Sequence, residues 1–418
     1  MFFDGVSTLV QPLHQLWRLL PPSSRRYGLA RLGAFLAPSI TSNPYTDSTV
    51  IIAGEVSRAS GLGEGARVMH QALEKHHISS QLLDISPYSF SFSQYREAYQ
   101  LLSEYLYAPL ILHINAPQIP YALLSLPRRF LKHRKIIGYW AWELEVLPKD
   151  WEVGFQFVHE IWVPSQFVAN AIKPWANKKQ KIVRVVPHPI ADRIAHTVQN
   201  IDRALLGLPE NKIIILVSFN LSSSFVRKNP LGAILAFLKA CEHDRSVCLV
   251  LKITYSEYYR EDMAKIMSAI QGHDNIIVNT SLLSAAENQA LFHHADIVLS
   301  LHRSEGFGLV PAEAMLCGKP VVSTDWSATA EFIDDTCGIP VNYNLIPVQD
   351  SREVYQLSNA YWAEPDYDIA AQAINKLVFN SYYRFALGDV ACKRAREQFD
   401  SQSLIKGLSA IGVVMNKG

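Results

Sequence analysis

Two glutamates eight positions apart, Glu305 and Glu313, frame the stretch of this chain whose residue types are best suited to chemistry. Between them stand Gly306, Gly308 and Pro311, and before them runs Ile297-Val298-Leu299-Ser300-Leu301, which reads as a buried strand. Pro311 suits the first turn of a helix, where its missing amide hydrogen costs nothing, and Gly318 with Pro320 predicts an end to that helix after about two turns. Glu313 is therefore expected near a helix N-terminus. Free amides and the positive end of a helix dipole favour an anion such as a diphosphate, and the two glycines let backbone approach it without an intervening side chain. A carboxylate at the loop mouth, Glu305, can accept hydrogen bonds from sugar hydroxyls. One further in, Glu313, can hold a ribose diol. Taken singly, each has a plainer account: Glu313 as a first-turn capping acid, Glu305 as a solvated loop acid.

Other residues could serve the same chemistry. Arg227-Lys228-Asn229-Pro230 follows a predicted strand, and a lysine at such a strand-to-helix transition can neutralise diphosphate oxygens as charge builds on a leaving group; the plainer account is a solvated loop cation. His113 and Asn115 close another strand and are candidates for an acceptor cleft, although a lone strand-end histidine is more often structural. Asp366-Tyr367-Asp368 has the D-x-D form of a metal site, yet it follows Glu364-Pro365 and opens a helix, so capping explains it better. The five cysteines, 241, 248, 317, 337 and 392, form no C-x-x-C pair and no cluster with metal-ligand spacing, and are read as reduced thiols.

These residues need a scaffold, and the chain predicts one of α/β class. From residue 50, short β-branched runs alternate with helical periods, the pattern of a parallel sheet covered by helices. Strands are expected at Val50 to Ala53, Ser80 to Ile85, Leu110 to Asn115, Lys135 to Tyr139, Glu160 to Val163 and Lys181 to Val186. Gly61-Leu62-Gly63 reads as a turn before a helix from Glu64 to Lys75. Pro187-His188-Pro189 and the polar stretch after it break the alternation near 187–210, the expected domain boundary. A second series follows at Lys212 to Val217, Val247 to Ile253, Asn275 to Val278, Ile297 to Leu301 and Pro320 to Ser323. Helices near Tyr367 to Leu377 and Tyr383 to Phe399 come last and are expected to pack across both domains. The resulting division is 1–45, a helical segment; 46–200 and 201–380, two Rossmann-like domains; and 381–418, a helix returning towards the first domain.

A length of 418 residues with 49% hydrophobic and 18% charged residues fits two well-packed domains. A formal charge of +1 argues against a nucleic-acid partner. The N-terminus lacks the form of a secretory signal, and no apolar run is long enough to span a bilayer, so the expected location is the cytoplasm. The first 45 residues combine Leu16, Trp17, Leu19, Leu20, Leu29, Leu32 and Phe35 with Arg18, Arg25, Arg26 and Arg31. Two readings stand: an amphipathic helix on a membrane surface, which would place the protein at the inner face of the membrane, or short helices packed on the first domain, broken by Pro21 and Pro22.

Glu305, Gly306, Gly308, Pro311 and Glu313 together resemble the E-x7-E signature of retaining glycosyltransferases with the GT-B fold, the group called family 4 or group 1. Gly61-Leu62-Gly63-Glu64-Gly65 resembles that group's N-terminal glycine loop, and Arg227-Lys228 its phosphate-binding pair. Ile137 to Glu143, Glu160 to Ser165 and Trp362 to Pro365 are similar to segments of a bacterial branch, although packing is the preferred account of Trp162. The resemblance implies two Rossmann-like domains facing across a cleft and transfer of a sugar, with retention, from a nucleoside-diphosphate sugar to a hydroxyl on a glycan or lipid-linked glycan. The implied setting is bacterial polysaccharide or glycolipid synthesis. Glu313 would hold the ribose and Glu305 orient the sugar. Lys228, Arg227 and the loop of Gly306, Phe307, Gly308 and Leu309 would face the diphosphate, Gly61 and Gly63 the donor phosphates or the acceptor, and His113 and Glu143 the acceptor. No cofactor or metal is implied. Two departures stand out: the family's arginine several residues before the lysine is replaced by Asn220 to Ser224, and a histidine usual after the Lys135 to Tyr139 strand is replaced by Trp140, Trp142 and Glu143. The alternatives are a catalytically inactive sugar-binding scaffold, a glycoside hydrolase, whose two carboxylates would flank the scissile bond, and a phosphorylase, whose cofactor lysine segment is not found.

Overall fold

The computed structural model describes residues 20–86, 92–193 and 201–413; Leu16, Trp17, Arg18 and Leu19 lie outside them. Two six-stranded sheets, parallel throughout, form the framework. The first comprises β1 (Val50–Gly54), β2 (Ser80–Asp84), β3 (Leu110–His113), β4 (Ile136–Tyr139), β5 (Glu160–Val163) and β6 (Ile182–Val185), in the order β2-β1-β3-β4-β5-β6. The second comprises β7 (Ile213–Asn220), β8 (Val247–Thr254), β9 (Ile276–Asn279), β10 (Ile297–Ser300), β11 (Val321–Thr324) and β12 (Ile339–Val341), in the order β12-β11-β10-β7-β8-β9. Helices cover both faces of each sheet, so alternate residues of one strand enter different cores. Ile51 and Ala53 of β1 join one cluster while Val50 and Ile52 join another. In β7 the same split separates Ile215 and Val217 from Ile214 and Leu216.

Each strand expected from sequence is present, and three were missed. β12 is short and carries Pro340, which weakens a strand signal. β13 (Tyr343–Pro347) and β14 (Tyr361–Pro365) pair antiparallel as a hairpin with an arm between them. This hairpin leaves the second sheet and packs Val348, Tyr355, Ala360 and Trp362 into the core of the first domain, beside Trp142 and Trp151. Trp362 thus fills a core that its position in the chain does not suggest.

Gly61 to Gly63 is not a free turn. The helix begins at Gly61 and runs to Lys75, with Ser60 Oγ accepting from the Gly63 amide at 3.1 Å. A Cβ at Gly63 would lie 2.4 Å from the Glu55 carbonyl oxygen, so the glycine is needed for close packing. The C-terminal helices also differ from expectation. Helices Tyr367–Phe379 and Ser381–Gln398 stay on the second domain, and a third, Gln402–Ala410, crosses to place Leu404 and Leu408 against Val50 and Ile52. Its short length and internal Gly407 hid it.

Candidate functional site

The order of the second sheet reverses between β10 and β7, and ligands of such sheets bind beyond the carboxyl ends of the strands at that point. β7 leads through a turn into the short Phe225–Lys228 helix, and β10 leads through residues 301–308 into the Leu309–Leu316 helix. Asn229, at φ 52°, joins them: its Nδ2 donates to the Leu301 carbonyl at 2.8 Å and its Oδ1 accepts from Gly232 at 3.2 Å, capping the Pro230–Cys241 helix. The Arg303 amide donates to the Arg227 carbonyl at 2.8 Å. The two loops therefore behave as one unit.

Lys228, Arg227 and Glu305 meet on it. Lys228 Nζ donates to Glu305 Oε1 at 2.5 Å, and Arg227 Nη1 lies 3.2 Å from Glu305 Oε2. Glu305 is 8% exposed, so it is not the solvated loop acid of the plainer account. Burial opposes its charge, but Lys228 and Arg227 outweigh that and hold the carboxyl at about 2. Burial lowers the Lys228 ammonium from its usual value, against the pull of Glu305 and with the push of Arg227. Arg227 is 1% exposed. It donates to the Ser304 carbonyl at 2.7 Å and Ser223 Oγ at 2.6 Å, and its guanidinium lies 5.5 Å from the centre of the Tyr355 ring. Arg227 is thus enclosed behind Glu305, a correction to its expected place facing the diphosphate, because carbonyl, hydroxyl and aromatic partners surround it.

Glu143, from the first domain, completes this cluster. Its Oε1 lies 3.8 Å from Arg227 and its Oε2 accepts from the Tyr355 hydroxyl at 3.0 Å. The glycine loop packs there too. A Cβ on Gly306 would lie 2.9 Å from the Trp142 carbonyl oxygen, and Ser165 Oγ donates to the Gly306 carbonyl at 2.7 Å. Gly308 caps the following helix at φ 93°, where a Cβ would also meet Thr329 Cγ2 at 2.5 Å. Phe307 is buried against His188, Phe332 and Phe399. Leu309 faces Gly61 across the domains, with its Cδ1 4.0 Å from the Cβ position there. A further tie closes the interface: Glu331 accepts from the Gln166 and Phe167 amides, at 2.9 and 2.6 Å, at the N-terminus of the Gln166–Lys178 helix.

Glu313 lies in the second turn of its helix rather than the first, so capping does not account for it. It accepts from Arg193 Nη1 at 2.7 Å, and Arg193 also pairs with Glu64, which Arg67 holds in turn. Burial, with Glu64 adding to it, pushes the Glu313 carboxyl up to about 7 against the pull of Arg193. Sequence reasoning missed this bridge. Arg193 follows the boundary prolines with no motif around it, and Glu64 read as an ordinary first-turn acid.

His113 is enclosed at 0% exposure rather than presented to a cleft. Its ring stacks on Tyr139 with centroids 4.3 Å apart, its Nε2 lies 3.4 Å from Met69 Sδ, and Tyr139 in turn meets His188. Burial holds both histidines below their usual range, His188 at about 4. Neutral rings of this kind are packing. Asn115 Oδ1 accepts from the Ala141 amide at 2.9 Å. Asp366 accepts from the Asp368 and Ile369 amides as a helix cap, while Asp368 pairs with Lys239 at 2.6 Å. Trp162 is buried and donates to Glu160 Oε1 at 2.8 Å.

Residues 234–360 match the family described as Glycosyl transferases group 1. That stretch contains Glu305, the Gly306 to Leu309 loop and Glu313, but not Arg227 or Lys228. Over 124 residues the chain is 32% identical to D-inositol 3-phosphate glycosyltransferase of Arthrobacter sp. (strain FB24), covering 29% of this chain and 28% of the relative. The chain thus matches little more than a quarter of that relative's length. Among solved structures, Anabaena HepE in complex with UDP and glucose has a TM-score of 0.60 at 14% identity, covering 87% of this chain and 100% of the other. Sucrose-phosphate synthase from Thermosynechococcus elongatus has a TM-score of 0.61 at 14% identity, covering 87% and 98%. A glycosyltransferase from Rickettsia africae has a TM-score of 0.61 at 13% identity, covering 90% and 100%. Residues 234–360 of the second domain thus match the group 1 glycosyltransferases, in a chain with the two-domain GT-B fold.

Proposed function

We propose that the chain is a retaining glycosyltransferase that moves a hexose-type sugar from a nucleoside-diphosphate sugar to a hydroxyl of a glycan or lipid-linked glycan, with no metal required. The observation that carries this reading is the Lys228–Glu305 pair, 2.5 Å apart beside a glycine loop that opens a helix at the switch point of the second sheet. In this reading the diphosphate lies over the start of the Leu309–Leu316 helix and shares Lys228 with Glu305. Glu305, anionic at neutral pH with its carboxyl at about 2, accepts hydrogen bonds from sugar hydroxyls. Glu313 holds the ribose diol.

The bond between the anomeric carbon and the diphosphate oxygen breaks while the acceptor oxygen bonds to the same face. The acceptor proton passes to the departing diphosphate, whose growing charge Lys228 and the loop amides stabilise. No enzyme nucleophile is required. A role in bacterial polysaccharide or glycolipid synthesis belongs to this reading and rests on the likeness of Ile137 to Glu143 and Trp362 to Pro365 to such enzymes. Because the Anabaena structure contains UDP, uridine donors are the first to test. In a thermal-shift screen of nucleoside-diphosphate sugars, one donor class should raise the unfolding midpoint with the logarithm of its concentration and be turned over with an acceptor. A screen in which no nucleotide binds and none is consumed would overturn the reading.

A further inference from the structure

The Pro22–Leu36 helix is built inside out for a surface helix. At about 100° per residue, Ala30 and Gly33 fall on its inner face, where both are buried. A Cβ at Gly33 would sit 2.8 Å from Tyr121 Cζ, and the Tyr121 hydroxyl donates to the Leu29 carbonyl at 2.6 Å. The small residues therefore serve close approach to the Ile119–Ser125 helix. Leu29, Leu32, Phe35 and Leu36 occupy the adjoining third of the circumference, all exposed, Phe35 at 85%. Four large apolar side chains in one exposed row form a patch that marks an interaction surface.

Basic residues predominate around that row, with Asp150 set 3.9 Å from Arg26 where the Lys149–Phe157 segment packs on the helix. Residues 5–46 contain no Asp or Glu, and neither do residues 105–142. Arg31 is exposed beside the row, and Arg128, Arg129 and Lys132 are exposed on and just after the Arg128–Leu131 helix, which packs on the Ile119–Ser125 helix. We propose that this face docks on an anionic lipid bilayer, with the helix lying in the interface plane. Leu29, Leu32, Phe35 and Leu36 enter the boundary of the acyl chains while the arginines and lysine meet lipid phosphates. A bilayer supplies an apolar layer directly behind a plane of negative charge, which is the complement of an apolar row beside the exposed Arg31, Arg128, Arg129 and Lys132. No described helix is long and apolar enough to cross a membrane, so the association is peripheral. The Ile119–Ser125 helix follows the carboxyl end of β3, the side of the first sheet from which its ligand loops leave, so docking brings the lipid surface towards the acceptor side.

The test is flotation of the full chain with phosphatidylcholine vesicles, with and without phosphatidylglycerol. Binding is expected to the anionic vesicles only and to weaken in high salt. The Leu32→Glu, Phe35→Glu double variant and the Arg128→Glu, Arg129→Glu double variant should each lower partitioning by about tenfold or more. Their unfolding midpoints and nucleotide binding should stay unchanged, which separates this inference from the donor-site reading. Three outcomes would overturn it: no binding to anionic vesicles at low salt; binding only after removal of residues 1–19, which would make that segment the occupant; or a concentration-dependent dimer that Leu32→Glu, Phe35→Glu dissociates without vesicle binding in the parent, which would make a second copy the occupant.

Discussion

Lys228 Nζ lies 2.5 Å from Glu305 Oε1 although 77 positions separate the two residues in the chain. The contact joins the loop after β7 to the loop after β10, so the cation proposed for the leaving group and the carboxylate proposed for the sugar are held by one bond. Lys228→Ala should lower kcat by about two to three orders of magnitude, with nucleotide affinity changed only a few-fold, because the charge acts mainly in the transition state. Steady-state kinetics with calorimetry checks this. An unchanged kcat would make Lys228 a structural partner of Glu305 alone.

The two glutamates should separate under amide substitution. Glu305→Gln should abolish most transfer while the bare nucleoside diphosphate still binds. Glu313→Gln should weaken nucleotide and donor alike by roughly 1.5 to 3 kcal/mol, the worth of a charge-assisted hydrogen bond to a ribose hydroxyl. Titration calorimetry on folded variants decides, and equal affinities in all three proteins would remove Glu313 from the nucleotide site.

Nucleotide affinity should depend on pH through Glu313. Burial holds its carboxyl at about 7, above the ordinary 4.5, so it gains a proton as pH falls through neutrality. If the ionised form holds the ribose, affinity falls between pH 8 and 6, approaching about tenfold per unit below the pKa. The facing groups are Arg193, which pulls the value down, and Glu64, which pushes it up. Arg193→Ala should therefore move the fall to higher pH. Any slope that survives in Glu313→Gln belongs to the nucleotide's own phosphate, so an identical slope in both proteins would defeat the assignment.

Turnover should survive chelation. Among the described residues no group of three His, Cys, Asp or Glu could hold a metal ion, and Lys228 with the helix start can carry out a cation's role at the diphosphate. Assays in EDTA, with manganese added back, provide the check; loss and recovery of activity would contradict this.

Trp362→Ala should destabilise the protein by about 3 to 5 kcal/mol, the range for emptying a large buried aromatic site. Chemical denaturation measures it. A loss below about 1 kcal/mol would mean that the hairpin rests on the first domain without completing its core.

Much of this was legible in the chain, for identifiable reasons. Parallel strands buried on both faces write themselves as apolar runs, so Ile297 to Leu301 and Val247 to Ile253 could be placed from composition. The Glu305 to Glu313 stretch was legible because glycine, proline and carboxylate each carry a positional meaning at a strand-to-helix turn. What stayed hidden depends on distant partners. Arg227 looks like a surface cation until Ser304, Ser223 and Tyr355 are seen around it. His113 looks like a strand-end ligand until Tyr139 covers it. Arg193 and Glu64 acquire meaning only once the two domains meet at Glu313. The β13–β14 hairpin was lost because its strands carry Pro347 and Pro365 and its apolar residues serve a core elsewhere in the chain.

The placement of that hairpin bears on how the chain is made. On one face of the first sheet the core waits for Tyr355 and Trp362, and on the other for Leu404 and Leu408. During synthesis domains ordinarily condense in order as they emerge from the ribosome. Here the nascent first half emerges with Trp142 and Trp151 lacking their last neighbours, and both faces of its sheet gain closure only once Leu404 and Leu408 are outside. A fragment ending near residue 200 would therefore leave apolar surface uncovered on both faces of the first sheet, the kind of surface that chaperones bind and that drives aggregation.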